Sequence, residues 1–186
     1  MSEEMVIRNC SPTLAGLKTG NLFACPREGG GDIRESLRDL NRRMVPRGVR
    51  ILPVKEVGDR TLLYMYRPEK LARDLRNPLA ERILGAREYP LRDTERCVFE
   101  MLRRLREEKE FPHEVGLFLG YPAEDVNGFM TVGPQGARCV GTWRVYGDEA
   151  AAKKRFALYK KCTENYLKAY KRQTPLEKLV VKNAKM

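Results

Sequence analysis

The chain has few of the residues that usually mark a metal centre or a disulfide framework. It contains one histidine, His113, and one tryptophan, Trp143, in 186 residues. Its five cysteines are widely spaced, and no CxxC pair occurs. An odd number of separated cysteines argues against a disulfide scaffold, and the lack of paired ligands argues against a structural zinc site. We therefore expect no bound metal and no cofactor.

Long apolar runs are also missing. No stretch approaches the roughly 18 apolar residues that a membrane-spanning helix needs. The N-terminal sequence MSEEMVIRNC is acidic and has no apolar core, so it does not resemble a secretory signal. We expect a cytoplasmic protein without a membrane span. The 42% of hydrophobic residues is enough to form a packed core.

The excess positive charge is concentrated near the C-terminus. The net charge is +11, and residues 151–186 hold eleven Lys or Arg against two Glu. Lys160 and Lys161 are therefore candidate contacts to an anionic partner of a basic C-terminal helix. A solvated helix face without a partner accounts for the same charge. Because none of the known motifs for reading DNA or RNA occurs, we predict no sequence-specific nucleic-acid partner.

Capping residues predict where most helices begin. Ser11 followed by Pro12 predicts a short first helix that starts at this point. Asp32 is expected to open a second helix, whose apolar residues recur at helical spacing. Asp93 and Asp148 are predicted to open two longer helices. Shorter helices are expected to start at three prolines: Pro68, Pro78 and Pro122.

Four strands are predicted. Residues 49–57 and 61–66 carry β-branched and aromatic residues around Gly58-Asp59, which indicates a hairpin. Pro53 suggests that the first arm lies at a sheet edge. The apolar run VGLFLGYP, residues 115–122, predicts a buried strand, and residues 139–146 predict another.

The order of these elements favours one fold class. A hairpin is present and no regular βαβ repeat occurs, which predicts an α+β fold. We expect a single α+β domain over residues 1–175, with a small mixed or antiparallel sheet and helices packed on it. Residues 176–186 are expected to form a basic C-terminal tail.

One hypothesis for the function is a cysteine-dependent hydrolase or acyl transferase. Cys10 precedes the predicted helix start, where the helix dipole can lower a thiol pKa. His113 could act as the base for this nucleophile, with Asp125 or Glu124 orienting the imidazole. The chain order of cysteine and histidine matches that of papain-like thiol enzymes, although the usual glycine- and tryptophan-containing context is absent.

Each of these residues also fits a role outside thiol catalysis. Cys10 can be a small buried apolar residue, and His113 a capping residue or one axial ligand of a haem. Glu124 and Asp125 suit the first turn of a helix. The alternative function is then a non-enzymatic binding or regulatory module whose basic C-terminal helix contacts an anionic partner.

Two further residues are candidates for binding. Lys18 lies in GLKTG, which weakly resembles a phosphate-binding loop but has Leu17 where that pattern requires glycine. Tyr121 precedes Pro122 at a predicted turn, where its ring either packs or contacts a ligand.

Four segments resemble a known bacterial family, domain of unknown function three-seven-nine-three. They are, in chain order, CSPTLAGLKTGNLF, LLYMYR, FPHEVGLFLGYPAEDVNGF and GTWRVYGD. The resemblance covers nearly the whole chain and implies a single-domain bacterial protein. It implies no activity, but its two most distinctive segments contain Cys10 and His113.

Overall fold

A computed structural model of the chain describes residues 1–26 and 33–182. It confirms the α+β class, because helices accompany small antiparallel sheets throughout this part of the chain. Residue contacts divide the chain into two compact units. Unit 1 comprises Met1–Glu69 and Tyr159–Met186, and unit 2 comprises Lys70–Leu158.

Unit 1 is built around a three-stranded antiparallel sheet in the order β1-β3-β2. Its elements are α1 (Glu3–Leu14), β1 (Gly20–Pro26), α2 (Ile33–Met44), β2 (Arg50–Val57), β3 (Arg60–Tyr66), the second half of α8 (Glu149–Lys171) and α9 (Leu176–Leu179). The predicted hairpin is confirmed as β2 and β3, with Arg50 paired to Tyr66. Pro53 lies on an edge strand beside an irregularity in the register, where a missing backbone donor is tolerated.

The start of α1 differs from the prediction. The helix begins at Glu3 and is capped by Ser2, whose side chain accepts a hydrogen bond from the Met5 amide over 3.3 Å. Ser11 and Pro12 instead lie in its last turn. Glu3 and Glu4 in the first turn suit the positive end of the dipole, a signal that outweighed the Ser-Pro pair. The strand β1, which begins at Gly20, was not among the predicted strands.

The core of unit 1 joins both ends of the chain. Apolar residues of α1, α2 and all three strands pack together, and the C-terminal residues Leu176, Leu179 and Val180 are buried in the same cluster. The backbone of Val181 also donates to the Leu14 carbonyl over 3.0 Å. The segment after Pro175, expected to be a tail, is therefore part of the core as far as Val180.

Unit 2 is mostly helical. Its elements are most of α3 (Pro68–Asp74), α4 (Pro78–Gly85), α5 (Thr94–Glu107), α6 (Val115–Phe118), α7 (Ala123–Val132), β4 (Cys139–Val140), β5 (Arg144–Val145) and the first half of α8. The predicted caps Asp93 and Asp148 are confirmed, because their carboxylates accept from the amides of Arg96 and Ala151. The predicted cap Asp32 lies outside the described residues.

Two predicted strands of unit 2 are wrong. Residues 115–118 form the short helix α6, and Tyr121 N closes the following turn on the Gly116 carbonyl. A short apolar run does not by itself distinguish a strand from a buried helix. Residues 139–146 form the small hairpin β4-β5 instead of one strand, with Trp143 in its turn. Within residues 1–26 and 33–182, no helix has both the length and the apolar character needed to cross a membrane.

Candidate functional site

Cys10 occupies a position that does not favour a thiolate. It lies in the second half of α1 instead of at the helix start, so the positive end of the dipole is distant. The side chain is 0% exposed. Burial raises the pKa of the Cys10 thiol well above its usual range, and the nearby charge of Lys18 offsets this only in part. These surroundings keep the thiol protonated at neutral pH.

Lys18 lies in the turn after α1 and is 5% exposed. Burial lowers its pKa to about 8, because water no longer stabilises the ammonium group, while interaction with Cys10 acts in the opposite direction. The two side chains influence each other electrostatically, a pairing that the sequence analysis did not anticipate. The structure therefore buries Lys18 near Cys10.

His113 is an exposed residue of unit 2. Its ring lies edge-on to Phe129, with 4.6 Å between ring centroids, and 6.1 Å from the ring of Phe111. Cys10 belongs to unit 1. A catalytic pair formed by Cys10 and His113 stays a prediction.

Asp125 and Glu124 have different environments although they are adjacent. Asp125 is buried, and its Oδ2 accepts from Trp143 Nε1 over 2.6 Å. Its Oδ1 accepts from the backbone amides of Tyr146 and Gly147 over 2.7 and 2.8 Å. Three donors thus occupy the carboxylate that was expected to orient an imidazole. Glu124 is exposed in the first turn of α7.

Tyr121 packs against the same tryptophan. Its ring stacks on Trp143 with 5.0 Å between centroids, and its hydroxyl donates to the Thr142 carbonyl over 3.3 Å. The side chain remains partly exposed. These contacts order the β4-β5 hairpin, and a role for Tyr121 in ligand binding stays a prediction.

Lys160 and Lys161 are both exposed on α8. Lys168 and Lys171, further along the helix, are exposed as well. Among the described residues, no group of three or more His, Cys, Asp or Glu side chains is arranged to hold a metal ion.

A comparison with protein-family models identifies the family. The model described as "Protein of unknown function (DUF3793)" matches residues 6–180. The chain belongs to this family. The resemblance seen in the sequence is therefore confirmed at the level of the family. Neither the curated proteins nor the solved structures gave a match.

Membership of the DUF3793 family assigns no activity. Two buried polar residues that the sequence analysis missed have structural roles. Arg67, 1% exposed, donates to the carbonyls of Thr13, Leu14 and Val181 over 2.5 to 2.7 Å. It thereby ties the end of α1 to the C-terminal segment. No local signal in the sequence distinguishes Arg67 from an exposed arginine.

Glu114 is the second missed residue of this DUF3793 chain. It is fully buried in unit 2 next to exposed His113. Its Oε1 accepts from the Tyr89 hydroxyl over 3.1 Å, and its Oε2 lies 3.4 Å from Arg87 Nη1. Burial, followed by the negative charge of Glu114, raises the pKa of Tyr89. The sequence position of Glu114, between His113 and an apolar run, gave no indication of this network.

Proposed function

We propose that the protein is a non-enzymatic binding module that contacts a phosphate-bearing polyanion through the second half of α8. The observation that carries this proposal is one exposed basic face within unit 1. Lys160, Lys161, Lys168 and Lys171 are all exposed there, and Glu164 is the acidic residue among them. The four lysines define the α8 basic face.

Helix geometry puts these lysines on one side. With about 100° of rotation per residue, the four positions fall within an arc of roughly 100°. Lys160 and Lys171 are eleven residues apart, which corresponds to roughly 17 Å along the axis. This length allows contact with several successive phosphates, and each neutralised phosphate releases counterions.

The opposite side of this part of α8 is turned toward the protein. Tyr159 is buried, and Tyr166 and Tyr170 pack against the core of unit 1. Burial raises the pKa of Tyr166. These tyrosines are therefore not placed to stack on nucleobases. Binding through the α8 basic face should depend on charge, with little preference for sequence.

The hydrolase hypothesis has less support. It requires a thiolate at Cys10, whereas the side chain is buried away from the helix start and its pKa is raised. Asp125 has its carboxylate engaged by other donors. A binding module needs none of these groups to be reactive.

The test is charge reversal at Lys160 and Lys161. These two lysines lie mid-helix, so unlike Lys168 and Lys171 they do not complement the C-terminal end of the helix dipole. The double variant Lys160→Glu with Lys161→Glu should elute from heparin at lower salt. Its affinity for a single-stranded RNA should fall at least tenfold at 50 mM NaCl. Loss of two phosphate contacts should also reduce the slope of log K against log salt by about 1.4.

The matched control carries the same change in net charge elsewhere. Arg73 and Arg76 are exposed residues of unit 2, and reversing both to Glu also lowers the net charge by four. Thermal unfolding of both variants verifies the fold. If the two double variants lose affinity equally, overall charge and not the α8 basic face is responsible. If the α8 variant binds like the parent, the proposal is wrong.

A further inference from the structure

Unit 2 contains a groove of about 390 Å³ that is lined mostly by charged side chains, with one phenylalanine among them. It runs along α5, and its lining includes Phe99, Arg96, Arg103 and Glu100. Phe99 is 65% exposed, although most large apolar side chains of α5 are buried. An exposed phenylalanine in a groove leaves an aromatic surface available for a ring.

The aromatic ring and two arginines share one side of α5. Arg96, Phe99 and Arg103 are separated by three and four residues, so their side chains are neighbours on the helix surface. The groove contains three arginines, including Arg104, against two glutamates. Glu100 pairs with both Arg103 and Arg104, so Arg96 is the arginine of the lining best placed to meet an anionic ligand.

Arg103 is held in a fixed orientation. Its guanidinium donates to both Glu100 oxygens over 2.9 and 2.7 Å and to Glu107 over 2.6 Å. These bonds lower the pKa of Glu100 to about 2, chiefly through the Arg103 hydrogen bonds. A guanidinium fixed in this way presents a flat surface beside Phe99, and such surfaces stack on nucleobases.

Arg96 is more open to a ligand. Its side chain is 77% exposed, and the Nε atom lies 3.6 Å from Asp93 Oδ2, which is longer than a strong ion pair. The guanidinium can therefore turn toward a phosphate at little cost. Phe99 and Arg103 thus offer stacking surfaces, and Arg96 offers a cation, at one location.

We propose that this α5 groove binds a nucleotide, with the base stacked on Phe99 beside Arg103 and the phosphate contacted by Arg96. The shared chemistry is a planar base linked to a phosphorylated sugar. A free mononucleotide and a nucleotide within a single strand both provide it. The inference is independent of the α8 basic face, because all its residues lie in unit 2.

Isothermal titration calorimetry with four probes tests the groove. The probes are AMP, adenosine, ribose 5-phosphate and a short oligoadenylate. AMP should bind at least tenfold more tightly than adenosine or ribose 5-phosphate, because each of these lacks one of the two contacts. Because the α8 basic face is itself proposed to bind a strand, the oligoadenylate and AMP are compared in the Lys160 and Lys161 double variant. In that variant, stronger binding of the oligoadenylate than of AMP would identify a strand as the ligand, and the reverse order would identify a free nucleotide. Equal affinity for AMP and ribose 5-phosphate would refute base stacking.

Variants assign the binding to particular side chains. Phe99→Leu keeps an apolar side chain but removes the aromatic face. It should lower the affinity for AMP about tenfold and leave the affinity for ribose 5-phosphate unchanged. Arg96→Gln should lower the affinity for AMP and the affinity for ribose 5-phosphate, because both ligands carry the phosphate. Arg82→Gln, at an exposed residue of α4 outside the groove lining, is the matched control and should bind as the parent does. Unchanged AMP affinity in Phe99→Leu would overturn the proposal. Retention of AMP binding by the Lys160 and Lys161 double variant would separate this site from the α8 basic face.

Discussion

The carboxylate of Asp125 accepts a hydrogen bond from the indole of Trp143 over 2.6 Å. The two residues are 18 positions apart, and the second carboxylate oxygen accepts from the amides that follow β5. A single buried acid on α7 therefore fixes the β4-β5 hairpin. This relationship gives a residue first considered catalytic a structural role that stability measurements can test.

Replacement of Asp125 by Ala should destabilise the fold by about 2–4 kcal/mol, because one buried and two part-buried donors lose their acceptor. Trp143 is the protein's one tryptophan, so its fluorescence reports directly on the hairpin. Urea unfolding followed by tryptophan emission measures the loss of stability, and the emission of the folded protein reports on the hairpin. Glu124→Ala, at the exposed neighbour, should change stability by less than about 0.5 kcal/mol. Equal stability of the two variants would contradict the anchoring role.

Cysteine labelling should proceed in an order set by burial. Cys139 is partly exposed, whereas Cys10, Cys97 and Cys162 are buried. Burial raises the pKa of both Cys97 and Cys162 to about 11, which further slows their reaction. Iodoacetamide at pH 7.5 with peptide mass spectrometry should modify Cys139 first and Cys10 only after denaturation. Cys139→Ser should remove the fast phase. Rapid labelling of Cys10 in the folded protein would restore the thiolate hypothesis.

Loss of the Arg67 side chain should loosen the C-terminal segment. Arg67→Met keeps much of the volume but leaves the Thr13, Leu14 and Val181 carbonyls without their charged donor. We expect a loss of about 2–4 kcal/mol in the free energy of unfolding, together with faster proteolysis near the C-terminus. Arg73→Met, at an exposed site, serves as the control. Similar proteolysis of both variants would show that Arg67 does not hold this segment.

Lys18 should make stability depend on pH in alkaline solution. Its pKa is about 8 in the folded protein against 10.5 for an ordinary lysine. Between these values the unfolded chain binds more protons than the folded one, so the Lys18 contribution to stability rises with pH. The shift corresponds to about 3 kcal/mol.

The comparison with Lys18→Met isolates this contribution. Cys10, whose raised pKa acts in the opposite direction, is present in both proteins. Melting temperatures at pH 7, 8.5 and 10 should show the parent gaining stability relative to Lys18→Met. A constant difference between the two proteins across this range would argue that the pKa of Lys18 is not depressed.

Local signals in the sequence determined several elements of this protein. Gly58-Asp59 between β-branched and aromatic residues is enough to form the β2-β3 hairpin, because turn and strand preferences agree. Asp93 and Asp148 determine the starts of α5 and α8, since a cap acts within three residues. The basic residues of α8 and its tyrosine stripe are likewise visible as a helical pattern.

Tertiary structure decided the rest. The first four residues of VGLFLGYP form the helix α6, and the strand prediction failed because a short buried run has no periodicity that selects between helix and strand. Arg67 and Val181 are 114 positions apart, so no local pattern shows that the arginine reaches that carbonyl. The protonated state of Cys10 likewise follows from complete burial, which depends on packing between distant segments. Residue type and spacing identify which groups can react, but the surrounding packing decides their pKa values and their partners.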